Sequence, residues 1–339
     1  MITLALDFPK TVVFLSFMDI RKTHGRPFRV CFLLVDGFAL LSYSAAVEPM
    51  RAANHLAGKL LYDIKNLAVS GQQAVSSSGA IVKASVQMGI DADYDLVLVV
   101  AGGDPSRFSD ERTYRWLRQT ARRGIPIGGV SAGPFILAQS GIMEGRRMTV
   151  HWEHAPSLSE LAPTLALERD LYVIDRDRLT CAGGTAALDM MHAIITVHHG
   201  ADFATRVSDW FVHTEIRPSG GAQRAGMVER FGTVSLPVIR AIELMEIHIA
   251  DPLALDQLAN LIGISARQLN RLFQEKLGLS TMGFYRDLRL EKADNLLSQS
   301  PMSITEIALA AGFANSAHFS HSYRRKFGRP PSQRRNGAS

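Results

Sequence analysis

The sequence predicts two domains: an α/β domain with a parallel sheet and helices on both faces, followed by an all-α domain with two helix-turn-helix units. Three observations lead to this prediction. Strand-like apolar runs alternate with helix-like runs over residues 28–200. From residue 238 onward, every segment has helical period. Within that second part, one pattern of two short helices and a turn occurs twice.

Composition favours a folded protein of a reducing compartment. The chain has 339 residues, of which 47% are hydrophobic and 20% are charged, as in globular domains with full-sized cores. Its two cysteines are too few for a disulfide framework. Residues 1–27 form an N-terminal extension that lacks the marks of a signal peptide, and no apolar run is long enough to span a bilayer. We therefore expect a cytoplasmic protein without a membrane partner.

Each element of the first domain, residues 28–213, has its own local signal. Near-continuous apolar runs are typical of buried parallel strands, and Gly58 and Gly124 end predicted helices. The predicted strands are FRVCFLLV, LYDIKNLAVS, DLVLVV and IPIGGV, and a hairpin is expected in LYVIDRDRLTCAGG with its turn at residues 175–177. The predicted helices are SAAVEPMRAANHLAG, DERTYRWLRQTARRG, AGPFILAQSG and TAALDMMHAIITVHHG, and GQQAVSSSGA is predicted to be a polar turn.

The second domain, residues 238–335, follows a predicted linker. Residues 214–237 have no periodic apolar face and carry one early proline and four glycines. Beyond them, LDQLANLIGISARQLNRLFQEKLG aligns with ITEIALAAGFANSAHFSHSYRRKFG. Gly263 and Gly312 take the same place in the two copies, where a tight turn between helices favours positive φ. The helix MGFYRDLRLEKADNLLS joins the copies.

The second helix of each copy is predicted to enter the major groove of DNA. Leu255, Leu258 and Leu261 are expected to form the buried face of the first helix. Ser265 and Gln268 are expected to form a capping box at the start of the second. Arginine can recognise guanine there, and asparagine or glutamine can recognise adenine. The predicted DNA contacts are Arg267, Gln268, Asn270, Arg271 and Gln274 in the first copy and Ser316, Ala317, His318, His321 and Arg325 in the second, where Ser322 is also expected to face outward.

The distribution of charge agrees with a nucleic-acid partner. The formal net charge of the chain is +5. Residues 235–339 hold 13 lysines and arginines against 9 aspartates and glutamates, so most of the excess lies in the second domain. A basic domain of this kind is the electrostatic footprint expected for binding to phosphates.

A hydrolase motif lies in the first domain. GVSAG, residues 129–133, matches the G-x-S-x-G nucleophile elbow, in which a strained turn between a strand and a helix exposes a serine. One alternative is therefore a serine-dependent amidohydrolase or peptidase fused to a DNA-binding domain. Acids and histidines do follow Ser131 in the sequence, namely Asp170, Asp175, Asp189, His192, His198 and His199. These histidines lie in or at the end of an apolar helix, which favours structural roles.

The second domain closely resembles the AraC/XylS family of bacterial transcription regulators. The resemblance rests on SARQLNRLFQEKLGLS and on YRDLRLEKADNLLSQSPMSITEIALAAGFANSAHFSHSYRRKFGRPPS. It implies promoter DNA and RNA polymerase as partners, and activation as the usual outcome. It also implies base-facing positions for Arg267, Asn270, Arg271, Ser316, Ala317, His318 and His321.

The first domain resembles the PfpI-type, class I glutamine amidotransferase-like domain, which has a flavodoxin-like fold. The resemblance rests on motifs in a matching order, from VDGFALLSYSAAVEPMRAANHLAG through YDLVLVVAGGD to IPIGGVSAGPFILAQSG and TVHWEHAPSLSE. Catalytic relatives carry a cysteine at the elbow, a histidine that activates it and an acid from the first helix. Here the elbow holds Ser131 followed by Ala132, and Glu48 matches the first-helix acid. Since a serine needs a well-placed base, the resemblance implies a non-enzymatic sensor domain.

The predicted sensor site lies where parallel strands end. Free amides at the start of the helix after Ser131 favour a carboxylate, Glu48 suits a cationic nitrogen, and Trp152 suits stacking on that cation. The candidate ligand-binding residues are Glu48, Gly102, Gly103, Asp104, Ser131, Ala132, His151 and Trp152. The resemblance implies an amino acid or a quaternary amine such as arginine, carnitine or betaine as effector, and a homodimer. We expect neither a metal at HWEH, where a third ligand at sensible spacing is missing, nor a cofactor.

Overall fold

The computed structural model describes residues 25–89, 93–224 and 235–336. Most of the expected N-terminal extension, and residues 225–234 of the expected linker, lie outside the described residues. The chain forms two compact units that divide between Gln223 and Arg224, within the stretch predicted as a linker. Along the described ranges, no helix is long and apolar enough to cross a membrane.

The first unit is built on a six-stranded sheet. The strands of this unit are β1 Phe28–Leu34, β2 Tyr62–Ala68, β3 Gln73–Val75, β4 Ile81–Lys83, β5 Leu96–Ala101, β6 Ile127–Ser131, β7 Arg147–Thr149, β8 Ala166–Glu168, β9 Tyr172–Asp175 and β10 Arg178–Cys181. The strand order of the sheet is β2-β1-β5-β6-β10-β9, and all neighbours are parallel except the antiparallel pair β10 and β9. Two further pairs, β3 with β4 and β7 with β8, lie outside this sheet.

Helices cover both faces of the sheet, as the sequence predicts. Alternate residues of β1 divide between two cores: Val30 and Phe32 face one, and Cys31 and Leu33 face the other. The helices of this unit are α1 Leu40–Ala57, α2 Glu111–Arg122, α3 Gly133–Gln139, α4 Ala155–Leu161, α5 Ala186–His199 and α6 Ala201–Trp210, with a 3₁₀ turn at Pro105–Arg107. The first core is shared with α1, α5 and α6, and the second with α2 and α3. The α/β fold is therefore confirmed.

Two local features of this unit were not expected. The stretch predicted as a polar turn, residues 71–80, contains β3 and leads directly into β4, and these paired three-residue strands are too brief to show a period of two. Helix α6 was missed because Gly200 was interpreted as the end of the helical region. Gly200, at φ 88°, instead bends the chain from α5 directly into α6.

The second unit is helical throughout its described part. One core surrounds the first helix-turn-helix unit and another surrounds the second. The helices are α7 Leu236–Ile247, α8 Leu255–Ile262, α9 Ala266–Leu277, α10 Thr281–Gln299, α11 Ile304–Ala310, α12 Ser316–Phe327 and α13 Pro331–Asn336. Both turn glycines have positive φ, 81° at Gly263 and 75° at Gly312. Gly263 has open space around it, whereas a Cβ on Gly312 would lie 2.3 Å from the carbonyl oxygen of Ile249.

Two expectations about side-chain direction in this unit are wrong. Leu261 is 62% exposed, because the buried stripe of α8 runs through Leu258 and Ala259, and Leu261 lies about 200° around the helix from Ala259. Ser322 is buried, because it lies three residues after Phe319 on the side of α12 that faces the core.

The loop after β10 is packed tightly against the end of β6. Gly183 has φ 85°, and a Cβ on it would lie 2.7 Å from Ser131 Cβ and 2.7 Å from Ser42 Oγ. Gly184 also has positive φ, 56°, but a Cβ there would meet open space. A side chain would therefore be strained by the backbone conformation at both positions, whereas it would overlap neighbouring atoms only at Gly183.

We expect Gly183→Ala to lower the free energy of unfolding of the first unit by about 1–3 kcal/mol more than Gly184→Ala, because only the former adds overpacking to strain. Denaturant unfolding followed by tryptophan fluorescence measures this, since all three tryptophans lie in the first unit. Equal losses from the two substitutions would contradict the packing described here.

Candidate functional site

A strained turn connects β6 to α3. Ser131 ends β6 with φ 62°, a left-handed conformation that is uncommon for a residue other than glycine. Gly133 begins α3, and a Cβ there would lie 2.0 Å from the carbonyl oxygen of Val99 on the neighbouring strand. The predicted geometry of strand, turn and helix is therefore present, with Ser131 only 7% exposed.

The first-helix residue beside Ser131 is Ser42 rather than Glu48. Ser42 Oγ accepts a hydrogen bond from the Gly184 amide at 2.7 Å, and the space that a Cβ on Gly183 would fill is bounded by Ser42 and Ser131 together. Glu48 lies six residues further along α1 and pairs with Arg51 at 2.6 Å on an exposed surface. A match by motif order thus selected Glu48, whereas the helical phase of α1 turns Ser42 toward the elbow.

No described residue forms a hydrogen bond with Ser131 Oγ. The amide of His151 donates to the carbonyl oxygen of Ser131 at 3.3 Å, so the backbone of His151 lies next to the elbow. Its Nδ1 instead faces Glu153, accepting that residue's amide at 3.4 Å. Burial and the neighbouring His154 lower the pKa of His151, which favours the neutral ring.

The acid and histidines considered for a hydrolase have structural partners. Asp189 is fully buried and bound by Arg217 and His213. His192 Nδ1 lies 2.9 Å from Ser208 Oγ. His198 Nδ1 lies 2.9 Å from the hydroxyl of Tyr62. The last two contacts fasten helix to helix and helix to strand.

Backbone donors for an anion lie at the end of β5 as well as at the start of α3. The Ala132 amide already donates to Ala101 at 3.3 Å, Pro134 has no amide hydrogen, and the Phe135 amide donates to Ala132. The Gly133 amide, however, donates no hydrogen bond to another described residue, so the expected anion site at that helix start stays open through it. Gly102 and Gly103, which follow β5, donate no amide hydrogen bond to another described residue. Gly102 also packs closely, since a Cβ there would lie 2.6 Å from the carbonyl oxygen of Gly37.

The remaining candidates divide into paired acids and an aromatic turn. Asp104 caps the 3₁₀ turn through the Ser106 amide and pairs with Arg107 at 3.1 Å. Trp152 is 38% exposed, with its ring centroid 5.3 Å from that of His151. Potential metal-ligating atoms of His151, Glu153 and His154 lie within 4.8 Å of one another. This turn therefore offers an aromatic face and a carboxylate beside the elbow. Its two histidines and its glutamate are also close enough together to bind one metal ion.

Both thiols are poor nucleophiles. Cys31 and Cys181 are fully buried, and burial raises the pKa of each to about 12. Cys181 ends β10, and its sulfur accepts the amide of Gly183 at 3.4 Å. Neither thiol therefore replaces the cysteine that catalytic relatives carry at the elbow.

The second unit exposes the side chains predicted to contact DNA on the second helix of each helix-turn-helix pair. Along α9 these are Arg267, Gln268, Asn270, Arg271 and Gln274, and along α12 they are Ala317, His318, His321 and Arg325, with Ser316 half-buried at the helix start. Ser265 Oγ and Asn315 Oδ1 cap these helices by accepting the amides of Gln268 and His318. The two α9 and α12 surfaces are therefore polar and basic, as groove-facing helices require.

Asn270 has a structural role that the sequence did not indicate. Its Oδ1 accepts the Thr281 amide at 2.8 Å, which fixes the start of α10 against α9. An asparagine grips adenine through both its oxygen and its nitrogen. Because the oxygen is already engaged, Asn270 holds α9 against the start of α10 and lacks the free oxygen that a bidentate contact with adenine needs.

Comparison with known proteins agrees with both halves of the chain. Residues 258–337 match a helix-turn-helix domain family, and residues 28–197 match the DJ-1/PfpI family. The chain is 45% identical to the HTH-type transcriptional regulator GlxA of Rhizobium meliloti over 91% of this chain and 97% of that protein. This chain belongs to the AraC family of transcriptional regulators, with a DJ-1/PfpI domain.

Two further proteins match the regulator, one along most of the chain and one over about half of it. This chain is 38% identical to the HTH-type transcriptional regulator CdhR of Pseudomonas aeruginosa over 90% of each protein. The crystal structure of an AraC family transcriptional regulator from Pseudomonas putida superposes with a TM-score of 0.50 and 26% identity, covering 55% of this chain and all of that one. The resemblance predicted from sequence is confirmed for both domains.

We expect neither cysteine of the native regulator to react with iodoacetamide at pH 8 within an hour, because both are buried and, with a pKa of about 12, about one thiol in ten thousand is ionised there. Intact-protein mass spectrometry measures the label, and unfolding in guanidinium, which should release both thiols, is the control. Rapid labelling of native Cys181 would show an accessible thiolate close to the elbow and would reopen the enzymatic interpretation.

Proposed function

We propose that this regulator is a cytoplasmic homodimer that activates transcription when a small nitrogenous metabolite binds its DJ-1/PfpI unit without being chemically altered. The observation that carries the DNA-binding half is the pair of capped second helices whose polar and basic side chains face outward. Promoter DNA and RNA polymerase are its macromolecular partners. The two helices proposed to contact DNA, α9 and α12, precede and follow the long helix α10 in one unit. This arrangement suits contacts along a single operator.

Of the two helices proposed to contact DNA, α9 has side chains better suited than those of α12 to base recognition. Arg271 is 67% exposed in its side chain, with only a weak contact to Glu275 at 3.7 Å. Its guanidinium is therefore free to form the bidentate contact that arginine makes with guanine. Arg267 and Gln268 lie in the first turn of the same helix, where helix-turn-helix proteins contact base edges.

The effector site is proposed at the elbow, between the end of β5 and the turn that holds His151. The open amides of Gly102 and Gly103 suit a carboxylate. Trp152 and Glu153 suit a cationic nitrogen, by stacking and by charge. Glu153 takes the role expected of Glu48, whose carboxylate is already bound to Arg51. These groups select a zwitterion, such as an amino acid, carnitine or a betaine.

The absence of turnover at this site is part of the proposal. A serine hydroxyl attacks only when a base removes its proton. The described contacts place no base on Ser131 Oγ, and the buried thiols hold their protons. Ser131 is therefore proposed to shape the floor of the binding site.

We expect the affinity for DNA upstream of the regulator's own coding sequence to fall steeply with salt, because arginine and lysine contacts release counterions. Arg271→Ala should weaken binding by about 1–3 kcal/mol if that side chain reads a base. Fluorescence anisotropy between 50 and about 200 mM salt measures both effects.

The matched control is Arg115→Ala, which removes an exposed arginine of the same size from α2 of the first unit and should leave DNA affinity unchanged. Affinity that is insensitive to salt would refute the proposed DNA contact. An equal loss from both variants would show that only net charge matters.

Arginine, carnitine or glycine betaine is expected to raise the melting temperature of the regulator, because a ligand that binds only the folded state stabilises it by about 2.7 kcal/mol at a hundred times its Kd. Trp152→Ala should abolish the shift. Trp210→Ala, which removes another half-exposed tryptophan, should preserve it. A shift that survives Trp152→Ala would place the site elsewhere, and no shift with any compound of this class would refute the proposed effector.

A further inference from the structure

The segment that leaves the first unit, residues 213–223, is tied to the loop on one side of the elbow. We call it the exit segment. Arg217 donates from Nη2 and Nε to Asp189 Oδ2 at 2.7 and 3.0 Å, and its amide donates to Asp189 Oδ1 at 2.9 Å. Its Nη2 also donates to Thr185 Oγ1 at 2.8 Å. Thr185 directly follows Gly183 and Gly184, the pair that packs on Ser131 and Ser42.

The far end of the exit segment is tied to the opposite side of the elbow. Gln223 Nε2 lies 2.9 Å from Thr149 Oγ1, 3.1 Å from the carbonyl oxygen of Val150 and 2.7 Å from that of Asp170, and its two hydrogens are shared among these three acceptors. Val150 precedes His151, whose amide binds the carbonyl oxygen of Ser131. The exit segment is thus held on both sides of the elbow, and its Gln223 end is held beside the His151 turn that lines the proposed effector site.

The two anchors differ in strength. Asp189 is fully buried, so breaking its pairing with Arg217 would leave a buried carboxylate with His213 as its remaining side-chain partner. The Gln223 anchor consists of neutral hydrogen bonds from a single amide group, which exchange more readily for other partners. The Arg217 end is therefore the fixed point of the exit segment and the Gln223 end is the releasable one.

We infer that the exit segment is the element through which the effector site controls DNA binding, with Gln223 as its switch residue. This inference rests on the proposed function. A ligand held by the His151 turn and by the Gly102 amides moves the chain at Val150, and with it the acceptors of Gln223. The second unit begins at the next residue, so the state of this anchor sets where and how tightly the chain leaves the first unit.

Whether the two anchors of the exit segment are coupled to each other can be tested without effector or DNA. Hydrogen–deuterium exchange of the full-length protein is compared between the wild type, Gln223→Ala and the control Gln72→Ala, an exposed glutamine of the same unit. If the segment acts as a unit, Gln223→Ala speeds exchange about tenfold at the amides of Gly184 and Arg217 as well as near Val150. Faster exchange confined to residues 149–151 and 170–172 would overturn the inference.

Regulation is tested by the affinity of the same variants for DNA upstream of the regulator's own coding sequence. Gln223→Ala should change that affinity at least about fivefold, the lower range of allosteric coupling, while Gln72→Ala leaves it unchanged. Equal affinities for the wild type and Gln223→Ala would refute the switch. If the wild type binds no such DNA, the proposed function fails and the exchange result alone decides whether the exit segment is one element. Gln223→Glu, which keeps the size but removes the donors, replaces Gln223→Ala should the latter fail to fold.

Discussion

The left-handed conformation of Ser131 is the constraint around which the first unit is arranged. A non-glycine residue at φ 62° persists only where its surroundings determine its position, at a cost of about 1–3 kcal/mol. Those surroundings are the β5 and β6 pairing, in which Ala101 lies opposite Ser131, and the close contacts of Gly133 and Gly183. Because side chains are excluded at these glycines, the ends of three strands converge on one small volume.

Residue types that hydrolases use for catalysis serve here to hold helices together. Asp189 accepts hydrogen bonds from an arginine and a histidine. His192 and His198 each form a hydrogen bond with a hydroxyl group on another element. Buried polar groups of this kind must be paired, and each pair joins segments far apart in sequence. The DJ-1/PfpI fold thus retains the elbow, while its acids and histidines stabilise the scaffold.

Local patterns in the sequence predicted the elements but not the long-range pairs. Alternating apolar runs predicted the sheet, and the doubled glycine turn predicted both helix-turn-helix units. Ser42 carried no signal, because only the rotation of α1 against the sheet turns it to Ser131. Asn270 binds an amide eleven residues away, and Arg217 binds an acid 28 residues away, so neither partner could be found from spacing. Leu261 was wrongly predicted to be buried, because residues spaced three apart rotate progressively away from one face of a helix with 3.6 residues per turn.

The two turn glycines of the second unit give its halves different freedom to evolve. Gly263 needs only positive φ, which asparagine also tolerates, since the space around it is open. Gly312 must lack a side chain altogether, because Ile249 and Pro252 press against it. Sequence drift is therefore easier around the first turn than around the second.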